Sequence, residues 1–297
     1  MRGPAQAVLV AASCAALSLI LPPLSYLSAA TVSLVTLRKG TREGALILAA
    51  ASIAVGLLLF ISTGQPWFAL SMALGLWLPV WLLSVVLRAT VSLALVFQVA
   101  AVTGALLVIG LHLFLTDPVA TWQQALEAFF GTLLQQAGVP EPGAKLQVLA
   151  RIMTGVVAAT MVISYLVSVL IARWWQAALY NPGGFRQEYH QLRLGSTMAI
   201  VSMSVLIGAW LLAGGFGSAL RDLGTVVLVV YLFQGLAIVH GIAGLLRANI
   251  AWLVGVYFLM LFALPQLTIL LAVMGLVDTW VDVRARLARR KASGGAE

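Results

Sequence analysis

The sequence predicts an all-α, polytopic membrane protein with about eight to nine membrane segments in one domain. Three observations carry this expectation. First, 62% of the residues are hydrophobic and only 9% are charged, whereas a soluble domain carries roughly 25% charged residues. With a mean hydropathy of +1.05, the chain lacks the polar surface needed to face water. Second, uncharged apolar runs recur at lengths that carry a helix, rising about 1.5 Å per residue, through about 30 Å of hydrocarbon. Third, nothing shows the alternation of barrel strands, and helices satisfy their own backbone in lipid without closing a barrel.

Residues 5–37 carry no charge and are split by Pro22-Pro23, so two short helices are expected at 5–21 and 24–37. Further apolar runs cover 44–62, 67–87, 90–115, 152–173, 195–216, 224–246 and 250–276. Basic residues orient them, because Lys and Arg accumulate in cytoplasmic loops. Arg38, Lys39 and Arg42 then lie inside, as do Arg88, the 174–194 loop and Arg247, while 116–151 lies outside. The integral domain runs over 1–283, and the basic tail 284–297, with Arg284, Arg286, Arg289, Arg290 and Lys291, is expected in the cytoplasm. A single crossing by 250–276 would put that tail outside. Pro265 interrupts the run, and a proline removes a helix hydrogen bond, so a broken segment returning to its own side is expected.

Between the fifth and sixth runs an external amphipathic helix is expected over 118–137. Asp117 suits an N-cap, Pro118 a first helical position and Gly138 a stop. Val119, Trp122, Leu126, Phe129, Phe130 and Leu133 fall on one face. That face either lies on the membrane or closes over the protein's own span ends.

The most polar stretch inside the chain is YNPGGFRQEYHQLRLG, at 180–195. Asn181-Pro182-Gly183-Gly184 is turn chemistry. A helix restarting near Phe185 would put Arg186, His190 and Arg193 on one stripe, a cytoplasmic interface for phosphate headgroups or for a partner. One histidine and one glutamate in this loop form no catalytic constellation.

Polar residues within the spans are few and therefore informative. Gln98 and His112 lie on the fifth run, and Gln234 and His240 on the eighth. Gln98, Gln234 and His240 are the candidate lining of a ligand path. Gly241 and Gly244 share a face with Gln234 and suit a close helix contact. No Asp or Glu falls between 44 and 115 or between 195 and 220, which argues against a carboxylate-driven pump or an aspartyl intramembrane protease. The sequence has no His-Glu-x-x-His, no Gly-x-Ser-x-Gly and no P-loop. No catalytic residue, metal or cofactor is expected. Cys14, the one cysteine, excludes disulfides within the chain. The formal charge of +8 fits basic flanks of membrane spans better than nucleic-acid binding.

Pro22-Pro23 with LRKG at 37–40, FQGLAIVHGIAGLL in the eighth run and the terminal MGLVDTWVDVRARLARR together resemble the YybS-like family of bacterial inner-membrane proteins. The resemblance implies a location in the bacterial inner membrane and no established activity. It also implies a distant likeness to the substrate-binding S-components of energy-coupling-factor transporters, and hence an S-component-like bundle. Those components dock through an Ala-x-x-x-Ala stripe on their first helix, a spacing that Ala7, Ala11 and Ala15 reproduce. The chain has more expected spans than the usual six of an S-component. The functional expectation is a non-enzymatic multi-pass protein: a transporter subunit binding a small molecule between its spans, or a scaffold for a membrane complex. Its expected partners are the lipid bilayer and a membrane protein or second copy, with no nucleic acid.

Overall fold

Helix boundaries fall where the sequence withdraws a backbone donor, supplies a cap or allows a positive φ. Helix α1 (Pro4–Leu17) stops ahead of Pro22-Pro23, and α2 (Leu24–Lys39) ends at Gly40, where φ is +126°. Helix α3 (Thr41–Thr63) ends at Gly64, whose φ is +71°. After α4 (Trp67–Thr90), which contains one π turn at Ala73–Trp77, the Ser92 hydroxyl accepts from Leu95 N and caps α5 (Leu93–Phe114). Asp117 caps α6 (Pro118–Gln136) by accepting from Ala120 N. There follow α7 (Pro142–Tyr180), α8 (Gly184–His190), α9 (Ser196–Leu211) and α10 (Gly214–Leu245). Last come α11 (Ala251–Phe262), α12 (Leu264–Val281) and α13 (Val283–Ser293). This computed structural model describes residues 3–293, and no strand occurs among them.

Six of these helices, α3, α4, α5, α7, α10 and α12, are long and apolar enough to cross a membrane. The chain is therefore an all-helical polytopic protein, with fewer candidate spans than the eight to nine expected. Three apolar runs fall short because their helices stop early: α1 has 14 residues, α9 has 16 and α11 has 12. Helix α2, with 16 residues, is short as well as polar. Its Ser28, Thr31, Ser33 and Thr36 are all buried. The Ser28 hydroxyl donates to Ala11 O at 2.7 Å and accepts from the Trp77 indole at 3.0 Å, and Ser84 Oγ donates to Ser33 Oγ at 2.6 Å. A hydroxyl-rich helix is stable in this setting because the neighbouring helices satisfy it. At 39 residues, α7 is roughly 58 Å long and outruns the hydrocarbon layer.

Six contacts draw basic residues to one end of the bundle. The Arg38 guanidinium lies 3.3 Å over the Tyr180 ring, Arg88 donates to Leu37 O at 2.6 Å, and Arg173 pairs with Glu188. Arg193 pairs with Asp282 and Arg284 with Asp278, while Lys291 donates to Leu245 O at 2.8 Å. These contacts also resolve the parity problem of 250–276. Both flanks of that segment, Leu245 and Asp278–Asp282, lie at the basic end. Helices α11 and α12 thus form a hairpin, broken at Ala263 ahead of Pro265, and return to the end they left.

Helix α6 is tied to the bundle and still apolar outward. The Trp122 indole donates to Thr154 Oγ1 on α7 at 2.9 Å, yet no α6 residue is buried and Phe129 is 83% exposed. The helix is held by α7 along one edge and uncovered on the other.

Candidate functional site

The polar stretch 180–195 begins as an exposed turn at 180–183 and ends inside the bundle. Helix α8 ends at His190, and residues 192–195 are non-helical. Leu192 and Leu194 enter the core at 2% and 1% exposure, while Arg193 between them is half-buried. Gly195, with φ +82°, lets the chain re-enter a helix at Ser196.

Non-helical backbone among apolar helices carries donors and acceptors that no helix satisfies, and leaving them unpaired is costly. The rare polar side chains of the spans meet that need. Gln98 on α5 donates from Nε2 to Leu194 O at 2.7 Å. Gln234 on α10, fully buried, accepts from Leu194 N at 2.9 Å. The other end of the Gln234 amide donates to Gly275 O at 2.5 Å and to Thr279 Oγ1 at 3.3 Å on α12. The backbone of one residue, Leu194, thus joins α5 to α10, and one glutamine joins both to α12.

The next layer is ionic. Arg284 Nη1 donates to His190 O at 2.5 Å, and its Nη2 donates to Leu192 O and Asp278 Oδ2, both at 2.9 Å. Asp278 is fully buried, and its other oxygen accepts from Val283 N at 2.8 Å. Arg193 reaches across to Asp282 at 2.6 Å and to Thr279 O at 3.1 Å. Asp282 itself sits at φ +49°, between α12 and α13. The planar guanidinium fork suits such multiple oxygen contacts. The start of the basic tail is therefore locked against the 180–195 strap by the Arg193–Asp282 pair and by Arg284, which bonds the carbonyls of His190 and Leu192 while paired with Asp278.

Each residue singled out from the sequence has a place in this arrangement. Gln98 and Gln234 both hydrogen-bond the backbone of Leu194. His240 is separate from them: its Nδ1 lies 2.9 Å from Leu236 O of its own helix, and its Nε2 lies 3.4 Å from the Tyr257 hydroxyl. The single stripe does not form. Arg186 and His190 share α8, but Arg193 lies beyond the end of the helix and turns into the Asp282 pair. Gly241 and Gly244 receive the strap and tail in place of a partner helix. A Cβ at Gly241 would stand 3.1 Å from both His190 O and Arg284 Cδ, and one at Gly244 would stand 3.0 Å from the His190 ring. Ala11 and Ala15 are fully buried with Ala7 against α2 and α3, so the alanine stripe faces inward.

Sequence reasoning missed a second buried pair. His112 Nε2 on α5 lies 2.8 Å from Asp222 Oδ2 on α10, and Asp222 is 5% exposed. The other carboxylate oxygen accepts from Gly155 N on α7 at 3.0 Å. A Cβ at Gly155 would meet Asp222 Cα at 2.9 Å, so this three-helix junction requires a glycine there. Its sequence signal was weak, because Asp222 fell just before the apolar run expected to begin at 224. Helix α10 begins ten residues earlier, at Gly214. Among the described residues, no group of three His, Cys, Asp or Glu side chains could hold a metal ion.

The electrostatics of the strap give a pH prediction. Burial, the neighbouring Arg186, and then His240 and Arg284 lower the His190 pKa to about 4. The folded state therefore holds His190 neutral, while the unfolded chain protonates near its ordinary value of about 6.5. Above that pH the group adds no pH dependence. As pH falls from there toward 4, the unfolded state gains the proton first and stability drops. The melting temperature in detergent should fall over this window, and His190→Gln should flatten part of the decline. Equal slopes for the two proteins would rule out His190 as a contributor. No protein-family model, curated protein or solved structure matches this chain.

Proposed function

We propose that the chain is a non-enzymatic multi-pass membrane protein that acts as a scaffold or assembly subunit of a membrane complex. The carrying observation is the inward use of its intramembrane amides: Gln98 and Gln234 hydrogen-bond the chain's own backbone at Leu194. A small-molecule transporter subunit needs such groups free to meet a ligand, and a scaffold needs them to hold a fixed shape. The buried alanine stripe points the same way, since it is unavailable to a coupling subunit. Helix α11 supplies a surface for a partner. It is too short to span, none of its residues is buried, and it projects Phe258 and Phe262, with rings 4.8 Å apart, outward.

The resemblance to YybS-like proteins supports a bacterial inner membrane as the setting for this role, with the basic end in the cytoplasm under the positive-inside rule. Affinity purification from nanodiscs, with mass spectrometry of proteins and small molecules, tests the reading. A stoichiometric membrane protein should copurify, and Phe258→Ala with Phe262→Ala should deplete it several-fold. Recovery of a stoichiometric small molecule and no protein would replace this reading with the transporter one.

A further inference from the structure

A groove of about 390 Å³ opens at the basic end between α2, α4 and α7. Its polar side is made by Arg88, Arg173 and Gln176, and its apolar side by Leu37, Leu87 and Val91. The arginines are positioned from behind. Arg173 meets Glu188 through Nε and Nη2, which leaves its Nη1 without a partner among the described residues. Arg88 spends Nη1 on the carbonyls that end α2, which leaves Nε and Nη2 unspent among the same residues. The Gln176 amide likewise has no partner among the described residues. A guanidinium carries five donors, so each arginine is held in place and keeps donors for something else.

Backbone strain marks the same place. Val91, 72% exposed, has φ +52° and ψ +29°. A β-branched residue in the left-handed region is a genuine outlier, and such strain gathers at ligand clamps. Val91 is also the C-cap of α4, its N–H donating to Leu87 O at 2.8 Å. A second groove, of about 520 Å³, shares Tyr180 with this one, but Glu43 lines it beside Arg38 and Lys39. The first groove has no carboxylate in its lining and is the better anion site.

We propose that the groove between α2, α4 and α7 binds the phosphate headgroup of an anionic phospholipid, with Arg88, Arg173 and Gln176 as donors and Leu37, Leu87 and Val91 against the first acyl methylenes. Basic pockets between membrane helices are suited to anionic headgroups, and the half-apolar lining favours a lipid over a free anion. The proposal does not rest on the scaffold reading. The test titrates the purified full chain in neutral detergent with short-chain phosphatidylglycerol, short-chain phosphatidylcholine or inorganic phosphate, following thermal stability. Phosphatidylglycerol should stabilise saturably, and Arg88→Gln should raise its half-saturating concentration at least tenfold. Gln176→Leu, which removes no charge, should raise it severalfold and guards against a folding defect in the arginine variant. Arg289→Gln with Arg290→Gln, on the tail, should change nothing. Equal stabilisation by phosphatidylcholine, or an equal loss with the tail variant, would overturn the site. Inorganic phosphate acting at the same concentration as the lipid would overturn the choice of ligand.

Discussion

Arg284→Ala should destabilise the protein by about 3–5 kcal/mol, because removing one partner of a buried ion pair leaves the other charge uncompensated. Asp278 is fully buried, and Arg284 is 8% exposed. The same arginine also satisfies the carbonyls of His190 and Leu192, so the loss reaches the strap as well as the tail. Arg284→Lys should recover only part, since one ammonium cannot reproduce the guanidinium fork across three oxygens. Asp278→Asn combined with Arg284→Met should be milder than Arg284→Ala alone, because it removes both charges together. Unfolding by denaturant in detergent measures all three. An Arg284→Ala protein within about 1 kcal/mol of the parent would mean that water replaces the lock.

The second large effect belongs to Gln234. Gln234→Leu keeps the volume but leaves Leu194 N, which is buried, without its acceptor, and removes the tie to Gly275 O and Thr279 Oγ1. An unsatisfied buried donor costs about 1–3 kcal/mol, and loss of the α12 tie adds to that. Gln98→Leu should cost less. It lies on a partly exposed bond, and it removes one contact where Gln234 makes three. A double variant distinguishes a shared network from two independent bonds: because both glutamines hold the backbone of the same residue, Leu194, their losses should not add. Strict additivity would separate them and dissolve the idea of one joint at Leu194. Amide exchange at Leu194 gives an independent readout, and it should accelerate in Gln234→Leu.

Much of the fold was legible because lipid narrows the options. Apolar run length located α3, α4 and α5 to within a few residues, since each is bounded by charge or by Pro and Gly. Asp117 and Pro118 announced α6, because a cap works through local hydrogen bonds that the sequence states directly. The return of 250–276 was readable from Pro265 and the basic tail together. The strap was not readable. The chemistry of NPGG announces a turn and that of FRQEYH a short helix, but nothing local indicates that the next four residues leave the helical path and enter the core. The stripe of Arg186, His190 and Arg193 failed on that point, since a helical projection holds only while the helix continues.

The sequence alone determined that this chain is helical and polytopic, with a basic end and hardly any charge between. Those properties follow from transfer of side chains into lipid, which each segment undergoes nearly independently. Only the tertiary structure decided what the few polar groups do. Gln98 and Gln234 lie 136 positions apart and could have faced a ligand, a partner helix or each other. They face the N–H and the C=O of one residue, Leu194, because a non-helical segment entering the bundle has orphan backbone groups that only other elements can satisfy. His112 meets Asp222, and Arg284 meets Asp278, for the same reason: a charge taken out of water needs a partner, and where that partner lies is fixed by how the helices pack.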